Sequence, residues 1–392
     1  MDYVYASRIS SLQPSAIREI LKVTADPSVI SFAAGNPSPE AFPSRELAEL
    51  AAGLFASGAA SALQYGVSEG YAPLREITAA RLREKFGIGS PDDDLIIVSG
   101  GQQGVELTAK VLLNEGDTVV CEEPSFIGAL NAFRSYGVKL AGVPCGERGM
   151  DMDALAQRLS AEPRPKLIYT IPTFQNPTGA TMPAERRRLL VELAARFDVP
   201  LLEDDPYREL RYEGEDAPAL KSLDTGGRVI YCGSFSKVIA PGIRLGYICA
   251  PKGLMQKLIV AKQVSDVHSN LFFQALVCEY IKRYDIDAHI GQIRSLYRRK
   301  RDLMASLLHK QFSFTLPQGG LFIWAELPQG LDGFEYCRRA AAKKVAAVPG
   351  ASFLTDERAA SRAIRLNFSL PSFGQIEQGC ALLGEALCEY MG

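Results

Sequence analysis

The stretch RVIYCGSFSKVIAPGIRLGYICA, residues 228–250, decides how this chain is read. Two apolar runs, Arg228–Cys232 and Leu245–Cys249, flank a turn rich in serine, glycine and proline. Short, continuously apolar runs bounded by such turns predict strands covered on both faces, as in a mostly parallel sheet. Working outward, Leu95–Val98, Thr118–Cys121, Lys166–Ile171 and Val199–Leu202 read the same way. Helical patterns lie between them: Pro183–Phe197 carries Leu189, Leu190, Leu193 and Phe197 on one face. This alternation predicts a doubly wound α/β domain. From Asp285 to Lys310 the pattern becomes one long amphipathic helix, followed by strand candidates at Leu321–Leu327, Val345–Val348 and Ile364–Phe368. The change predicts a smaller α+β domain joined by the N-terminal segment. The expected division is an N-terminal arm and small-domain segment (1–45), a large domain (46–284) and a small C-terminal domain (285–392). The basic run Arg298–Arg301 reads as a solvated helix face.

Composition narrows the function classes. A chain of 392 residues, 47% hydrophobic and 22% charged, suits a folded globule of two domains. A net charge of −2 gives no basic field for nucleic acid or a membrane surface. The eight cysteines, Cys121, Cys145, Cys232, Cys249, Cys278, Cys337, Cys380 and Cys388, are dispersed without metal-site spacing. Three histidines form no ligand cluster, so no metal is expected. Dispersed thiols suit a reducing compartment. With no signal-peptide pattern and no run long enough to span a bilayer, the expected location is the cytoplasm.

Polar residues gather after the strand candidates. In open parallel sheets, ligands bind beyond the carboxyl ends of the strands. Leu95–Val98 runs into Ser99-Gly100-Gly101-Gln102-Gln103-Gly104, a glycine turn whose amides could receive a phosphate at a helix N-terminus. Lys166–Ile171 runs into Pro172-Thr173-Phe174-Gln175-Asn176-Pro177, and Val199–Leu202 into Glu203-Asp204-Asp205-Pro206-Tyr207. Arg228–Cys232 leads to Ser234, Ser236 and Lys237, with Arg244 seven residues on. Singly, each has a bland reading: a loop residue, an Asx turn at Asn176, a capping serine, a surface lysine. Jointly they place a carboxylate, an amide, hydroxyls and two cations along one sheet edge.

The segments NPTG (176–179), EDDPY (203–207) and SFSKxxxPGxRxGY (234–247) give the chain its resemblance to class I/II aminotransferases of fold type I. The likeness extends to Gly35-Asn36-Pro37, Leu63-Gln64-Tyr65-Gly66 and Ile364-Arg365-Leu366-Asn367-Phe368, and so covers nearly the whole chain. The glutamine pair Gln102-Gln103 and the doubled aspartate look most like the 2-aminoadipate and kynurenine aminotransferase subgroup. The resemblance implies the pyridoxal-phosphate-dependent transferase fold type I, with a mostly parallel central sheet in the large domain and a smaller α+β domain. It implies pyridoxal 5′-phosphate as cofactor, held by a Schiff base to Lys237, which also moves the proton.

By the same resemblance, Asp204 meets the pyridine nitrogen and keeps it protonated, while Tyr207 and Asn176 donate to the phenolic O3′. Asp205 is expected to be a turn or helix-cap carboxylate. Gly101, Gln102, Ser234, Ser236 and Arg244 receive the phosphate, and Phe126 stacks on the ring. Many relatives have Ser or Thr at Gly101, and close ones often have Tyr at Phe126, so two hydroxyls are absent here. Arg365, rather than nearby Arg362, clamps the substrate α-carboxylate as a planar two-donor fork, with Gly35, Asn36 and Asn176 beside it. Trp324 reads as small-domain core. Tyr65 crosses to the phosphate of a neighbouring subunit, which implies a homodimer. The side-chain pocket draws on Ser7–Arg18 and Val264–Asn270, where His268 and Asn270 either face substrate or cap a helix. The implied reaction moves an amino group from an L-amino acid to a 2-oxo acid, 2-oxoglutarate by resemblance, in ping-pong fashion. A β-lyase on the same fold and a non-catalytic aminotransferase-like regulator are the alternatives. Against the regulator, no helix-turn-helix module is expected ahead of the fold, and no basic patch replaces one.

Overall fold

Six of the apolar runs become strands of one eight-stranded sheet in the computed structural model, which describes residues 3–10, 26–57 and 60–392. In chain order its strands are β2 (Asp93–Val98), β3 (Thr118–Glu123), β4 (Lys139–Gly146), β5 (Gly149–Met150), β6 (Leu167–Thr170), β7 (Leu201–Asp204), β8 (Val229–Ser234) and β9 (Gly246–Pro251). They lie in the order β2-β9-β8-β7-β6-β3-β4-β5. The inner pairings β8–β7, β7–β6, β6–β3 and β3–β4 are parallel. Strand β9 runs against both of its neighbours, and β5 closes a hairpin with β4. Every residue of β6 and β7 is buried, as the unbroken apolar reading requires. The strand β4 had no such signal, because Val143 alone among its residues is buried.

Parallel order has a direct consequence for chemistry. The carboxyl ends of β6, β7 and β8 lie side by side, so the loops carrying Asn176, Asp204 to Tyr207, and Ser234 to Lys237 leave from one edge. Helix Gly101–Leu112 begins directly after the glycine turn that follows β2.

A second sheet, all antiparallel, has the order β10-β11-β14-β13, built from Ser313–Phe314, Phe322–Glu326, Ala363–Asn367 and Val348–Pro349. A third pairs β1 (Ile30–Ser31) in parallel with β12 (Val345–Ala346), tying the N-terminal segment to the C-terminal part of the chain. The expected single strand Val345–Val348 is therefore two strands in two sheets, breaking at Ala347. All four residues are buried, so hydrophobicity carried no trace of the break.

The basic run on the long helix Ile286–Leu307 is also corrected. Lys300 and Arg301 are buried. The Lys300 Nζ donates to Ser38 Oγ and the Ser369 carbonyl, both at 3.1 Å. Arg301 donates to the Pro317 carbonyl (2.7 Å) and to Glu213 (2.6 Å). Only Arg298 and Arg299 face solvent. No helix among the described residues is long and apolar enough to cross a membrane.

Candidate active site

Strand β7 sorts three successive carboxylates by face, since side chains alternate along a strand. Glu203 and Asp205 share one side. Glu203 accepts from the Leu220 and Lys221 amides at 2.9 and 2.8 Å, and Asp205 pairs with the Arg208 guanidinium. Asp205 is thus a buried ion-pair partner, not the expected turn or cap carboxylate. Asp204 points the other way, where its Oδ2 accepts from the Tyr169 hydroxyl at 2.8 Å. Burial pushes the Asp204 pKa up to about 7, and Asp205 adds to the rise against the Tyr169 hydrogen bond.

Lys237 follows β8 and is partly buried, with its Nζ donating to the Gly35 carbonyl at 2.8 Å. Burial lowers its pKa to about 8, and the positive charges of Arg365 and Arg244 lower it further. Arg365 lies on β14, buried between the rings of Phe322 and Phe353, 4.3 and 4.9 Å from its guanidinium carbon. It donates to Asn176 Oδ1 at 2.9 Å and to the Ala33 carbonyl at 2.6 Å, while its Nε has no partner among the described residues. Burial without a carboxylate lowers its pKa to about 10. Arg362 instead pairs with Glu326 and donates to the Leu327 carbonyl (3.0 Å), away from this group. Tyr207 is buried beside Asn176 and Phe322, and burial raises its pKa.

The glycine turn is built for close approach. Gly100 has φ +81°, and a Cβ there would lie 2.5 Å from the Arg244 Nη2. A Cβ on Gly246 would lie 2.8 Å from the Gly101 nitrogen, so the turn rests directly on β9. No side chain caps the helix that starts at Gly101. Arg244, at φ +53° and exposed, makes among the described residues only long contacts to carbonyls, at 3.4 Å. Free amides beside an uncommitted guanidinium form an anion site. Ser234 Oγ accepts from the Ser236 amide at 3.1 Å, which shapes the turn between strand and lysine.

The other expected residues have varied surroundings. Phe126 is half-buried and immediately precedes helix Ile127–Arg134; its ring lies so close to Gly128 that a Cβ there would clash. Gln102 donates to the Gly128 carbonyl at 2.8 Å, bringing the glycine turn against the Phe126 loop. The Asn36 carbonyl accepts from Ser369 at 2.8 Å, and the residue is exposed. Tyr65 lies in a loop, 82% exposed, with its ring edge-on to His268 at 5.9 Å. Asn270 caps the next helix through the Phe273 amide (3.0 Å). Trp324 is only partly buried: it packs on Phe353 and also lines a cavity of about 550 Å³ with Thr178 and Gln318. Of Ser7–Arg18, residues 11–18 lie outside the described residues.

Two residues of this site escaped the sequence reading. Glu122, fully buried at the end of β3, accepts from Thr170 Oγ1 (2.6 Å), the Ile171 amide (3.1 Å) and Gln175 Nε2 (3.1 Å). Gln175 also donates to the Pro124 carbonyl (2.8 Å), so the pair joins the loop of Asn176 to the loop of Phe126. Burial raises the Glu122 pKa to about 7. A carboxylate directly at the end of an apolar run was the available signal, because buried charges need built partners.

The donor set fits pyridoxal phosphate on the structure's own terms: a buried carboxylate without a cation, an amine of lowered basicity, and an empty-handed arginine against a glycine turn. Fold and site together define a pyridoxal-phosphate-dependent transferase of fold type I. The sequence matches the model for aminotransferase class I and II over residues 27–383, and the chain belongs to that family. It is 39% identical to an aromatic-amino-acid aminotransferase of Thermococcus litoralis, covering 100% of this chain and 96% of the relative. The structure of a Pyrococcus horikoshii kynurenine aminotransferase superposes with a TM-score of 0.95 at 38% identity, over 99% of this chain and 98% of that one. An α-aminoadipate aminotransferase of Thermus thermophilus, complexed with N-(5′-phosphopyridoxyl)-L-leucine, superposes with a TM-score of 0.91 at 38% identity, over 99% and 98%. This protein is an aminotransferase that depends on pyridoxal 5′-phosphate.

Proposed function

We propose that the enzyme transfers the amino group of an L-amino acid of the aromatic or 2-aminoadipate type to 2-oxoglutarate, with Lys237 as the cofactor-binding and proton-moving residue. When bound, pyridoxal phosphate supplies an electron sink for the bond broken at the substrate Cα. The chain's own residues do the rest. Asp204 holds a proton on the pyridine nitrogen by attraction in a dry site. Tyr207 and Asn176 donate to O3′, and Gly101, Gln102, Ser234, Ser236 and Arg244 hold the phosphate. Phe126 lies against the ring. Arg365 grips the α-carboxylate with Gly35 and Asn36 at its side, and Lys237 carries the proton to and from Cα.

The single observation that supports this reading most is the joint state of Lys237 and Arg365. Lys237 is an amine of lowered basicity whose Nζ meets only the Gly35 carbonyl among the described residues, as a group that condenses with an aldehyde requires. Arg365 is a buried guanidinium held by amide and carbonyl oxygens, as a group awaiting a carboxylate requires. A panel of amino donors assayed with 2-oxoglutarate tests it. Aromatic amino acids and 2-aminoadipate should be the best donors, and a lack of turnover with all of them would refute the substrate class.

We also propose the division into 1–45, 46–284 and 285–392, a cytoplasmic location in keeping with eight free thiols, and a homodimer in which Tyr65 reaches the partner's phosphate. The exposed Phe55, Leu63, Tyr65, Val67 and Val264 support the last point. Mixing Lys237→Ala with Tyr65→Ala subunits should restore part of the activity. No recovery, with exchange verified, would return Tyr65 to its own subunit.

A further inference from the structure

Behind the glycine turn lies a closed polar network that no part of the proposed chemistry uses. At its centre is Lys262, in the last turn of helix Lys252–Gln263, with no exposed surface. Its Nζ donates to Gln103 Oε1 (3.0 Å), to both oxygens of Asp266 (2.9 and 3.1 Å) and to Ser269 Oγ (3.0 Å). Gln103 Oε1 also accepts from the Ser99 amide at 2.7 Å, and Gln103 Nε2 donates to Asp266 Oδ2 at 2.8 Å. Ser99 Oγ reaches the same Asp266 oxygen at 2.8 Å and lies 2.9 Å from Ser269 Oγ. The front of the turn meets Arg244, whose Nη2 donates to the Ser99 carbonyl at 3.4 Å. One buried ammonium thus fixes both ends of Ser99–Gln103.

The segment that completes the network is strained. Val267 stands at φ +66°, a region β-branched residues avoid, and such conformations persist only where the surroundings impose them. Here the Asp266 and Val267 amides both donate to the Lys262 carbonyl, at 3.0 and 3.2 Å, while Asp266 and Ser269 are held by the Lys262 side chain. A buried lysine and a strained loop are costly features. Both adjoin the turn whose amides face the phosphate in the proposed site.

We propose that Lys262 is a positioning residue for the cofactor's phosphate: through Gln103 and Asp266 it sets the glycine turn so that the amides at Gly101 and Gln102 converge on one anion. This rests on the reading of that turn and Arg244 as the phosphate cradle. The hydrogen bonds of Lys262 go to Gln103, Asp266 and Ser269 and not to Asp204 or Lys237, so its effect should be confined to the phosphate end.

The test compares two probes with the same aldehyde and ring, pyridoxal 5′-phosphate and pyridoxal, binding to the apoprotein by fluorescence quenching. Lys262→Met should weaken pyridoxal 5′-phosphate by about tenfold or more, the scale of one buried polar partner left unmatched. Pyridoxal affinity should be unchanged. Gln103→Leu, which cuts the link to Ser99 without removing the buried charge, should show the same selective loss and serves if Lys262→Met does not fold. Equal weakening of both probes in these variants, or none, overturns the proposal. Arg244→Met separates the two readings: a selective loss there without one in the Lys262 and Gln103 variants sinks the positioning role alone. No selective loss in Arg244→Met removes the cradle itself.

Discussion

The two faces of strand β7 treat neighbouring carboxylates in opposite ways. On one face Glu203 has two backbone amides, and Asp205 has the Arg208 guanidinium. On the other, Asp204 has a phenol and, among the described residues, no cation. A structural carboxylate comes with its counter-charge built in, because a lone buried ion costs several kcal/mol. A carboxylate left short of one is complete only when a ligand brings the charge. The same contrast separates Arg301, paired with Glu213, from Arg365, which has carbonyl and amide acceptors and an idle Nε. Groups with unfinished electrostatics mark the site, and groups with finished electrostatics hold it in shape.

The strongest way to break this contrast is to remove Lys237. Lys237→Ala should retain pyridoxal phosphate without a covalent bond and lose turnover on the order of a million-fold, the scale seen when a covalent enzyme loses its nucleophile. After borohydride treatment of the wild-type enzyme, the pyridoxyl label should map to Lys237; recovery on another lysine would remove it from the site.

Next comes the pair on β7 itself. Asp204→Asn should lower kcat on the order of a hundred- to a thousandfold, as the loss of a preorganised charge does elsewhere, with stability kept. Asp205→Asn should do the reverse: it leaves Arg208 with only its longer contact to Glu203 (3.5 Å) as a charge partner and should cost up to about 3–5 kcal/mol in denaturant unfolding while the folded enzyme still turns over. An interchange of these two outcomes would mean that the faces have been assigned the wrong roles.

Arg365 sharpens the contrast on the cation side. Arg365→Lys keeps a charge but loses the planar fork, so KM should rise at least about tenfold for every amino donor, one to two charged hydrogen bonds at about 1.5–3 kcal/mol each. A rise confined to acidic donors would show that Arg365 reads a side chain.

The smallest effect lies in pH. Burial holds the Asp204 and Glu122 carboxyls protonated up to about 7 in the folded apoprotein. In the unfolded chain such groups ionise near about 4. Between these values the unfolded state binds fewer protons, so apoprotein stability falls as pH rises through the interval, by up to about 1.4 kcal/mol per unit for each group, and levels off above it. Urea unfolding at both ends of the interval should show a shallower decline in Asp204→Asn than in wild type. Parallel declines would mean that Asp204 is ionised in the empty site.

Much of this was legible in the chain. The six central strands, the long helix and the ordered segments NPTG, EDDPY and SFSK follow from local pattern, since burial on both faces demands unbroken apolar runs and the site residues stand directly after them. The motif spacing also led the sequence reading to choose Asp204 over Asp205 and Arg365 over Arg362. What the sequence left open depends on partners far along the chain. The Glu122 and Gln175 bond spans 53 positions and the Lys262 and Gln103 bond 159, and no local periodicity encodes either. Likewise Lys300 and Arg301 read as solvated because charge usually is, until Ser38, Ser369, Pro317 and Glu213 close over them. Sequence determined which groups the protein owns and where each sits on its strand. Tertiary structure alone decided which of those charges meet a counter-charge, because that balance is set by neighbours in space, and the unmatched ones make the site.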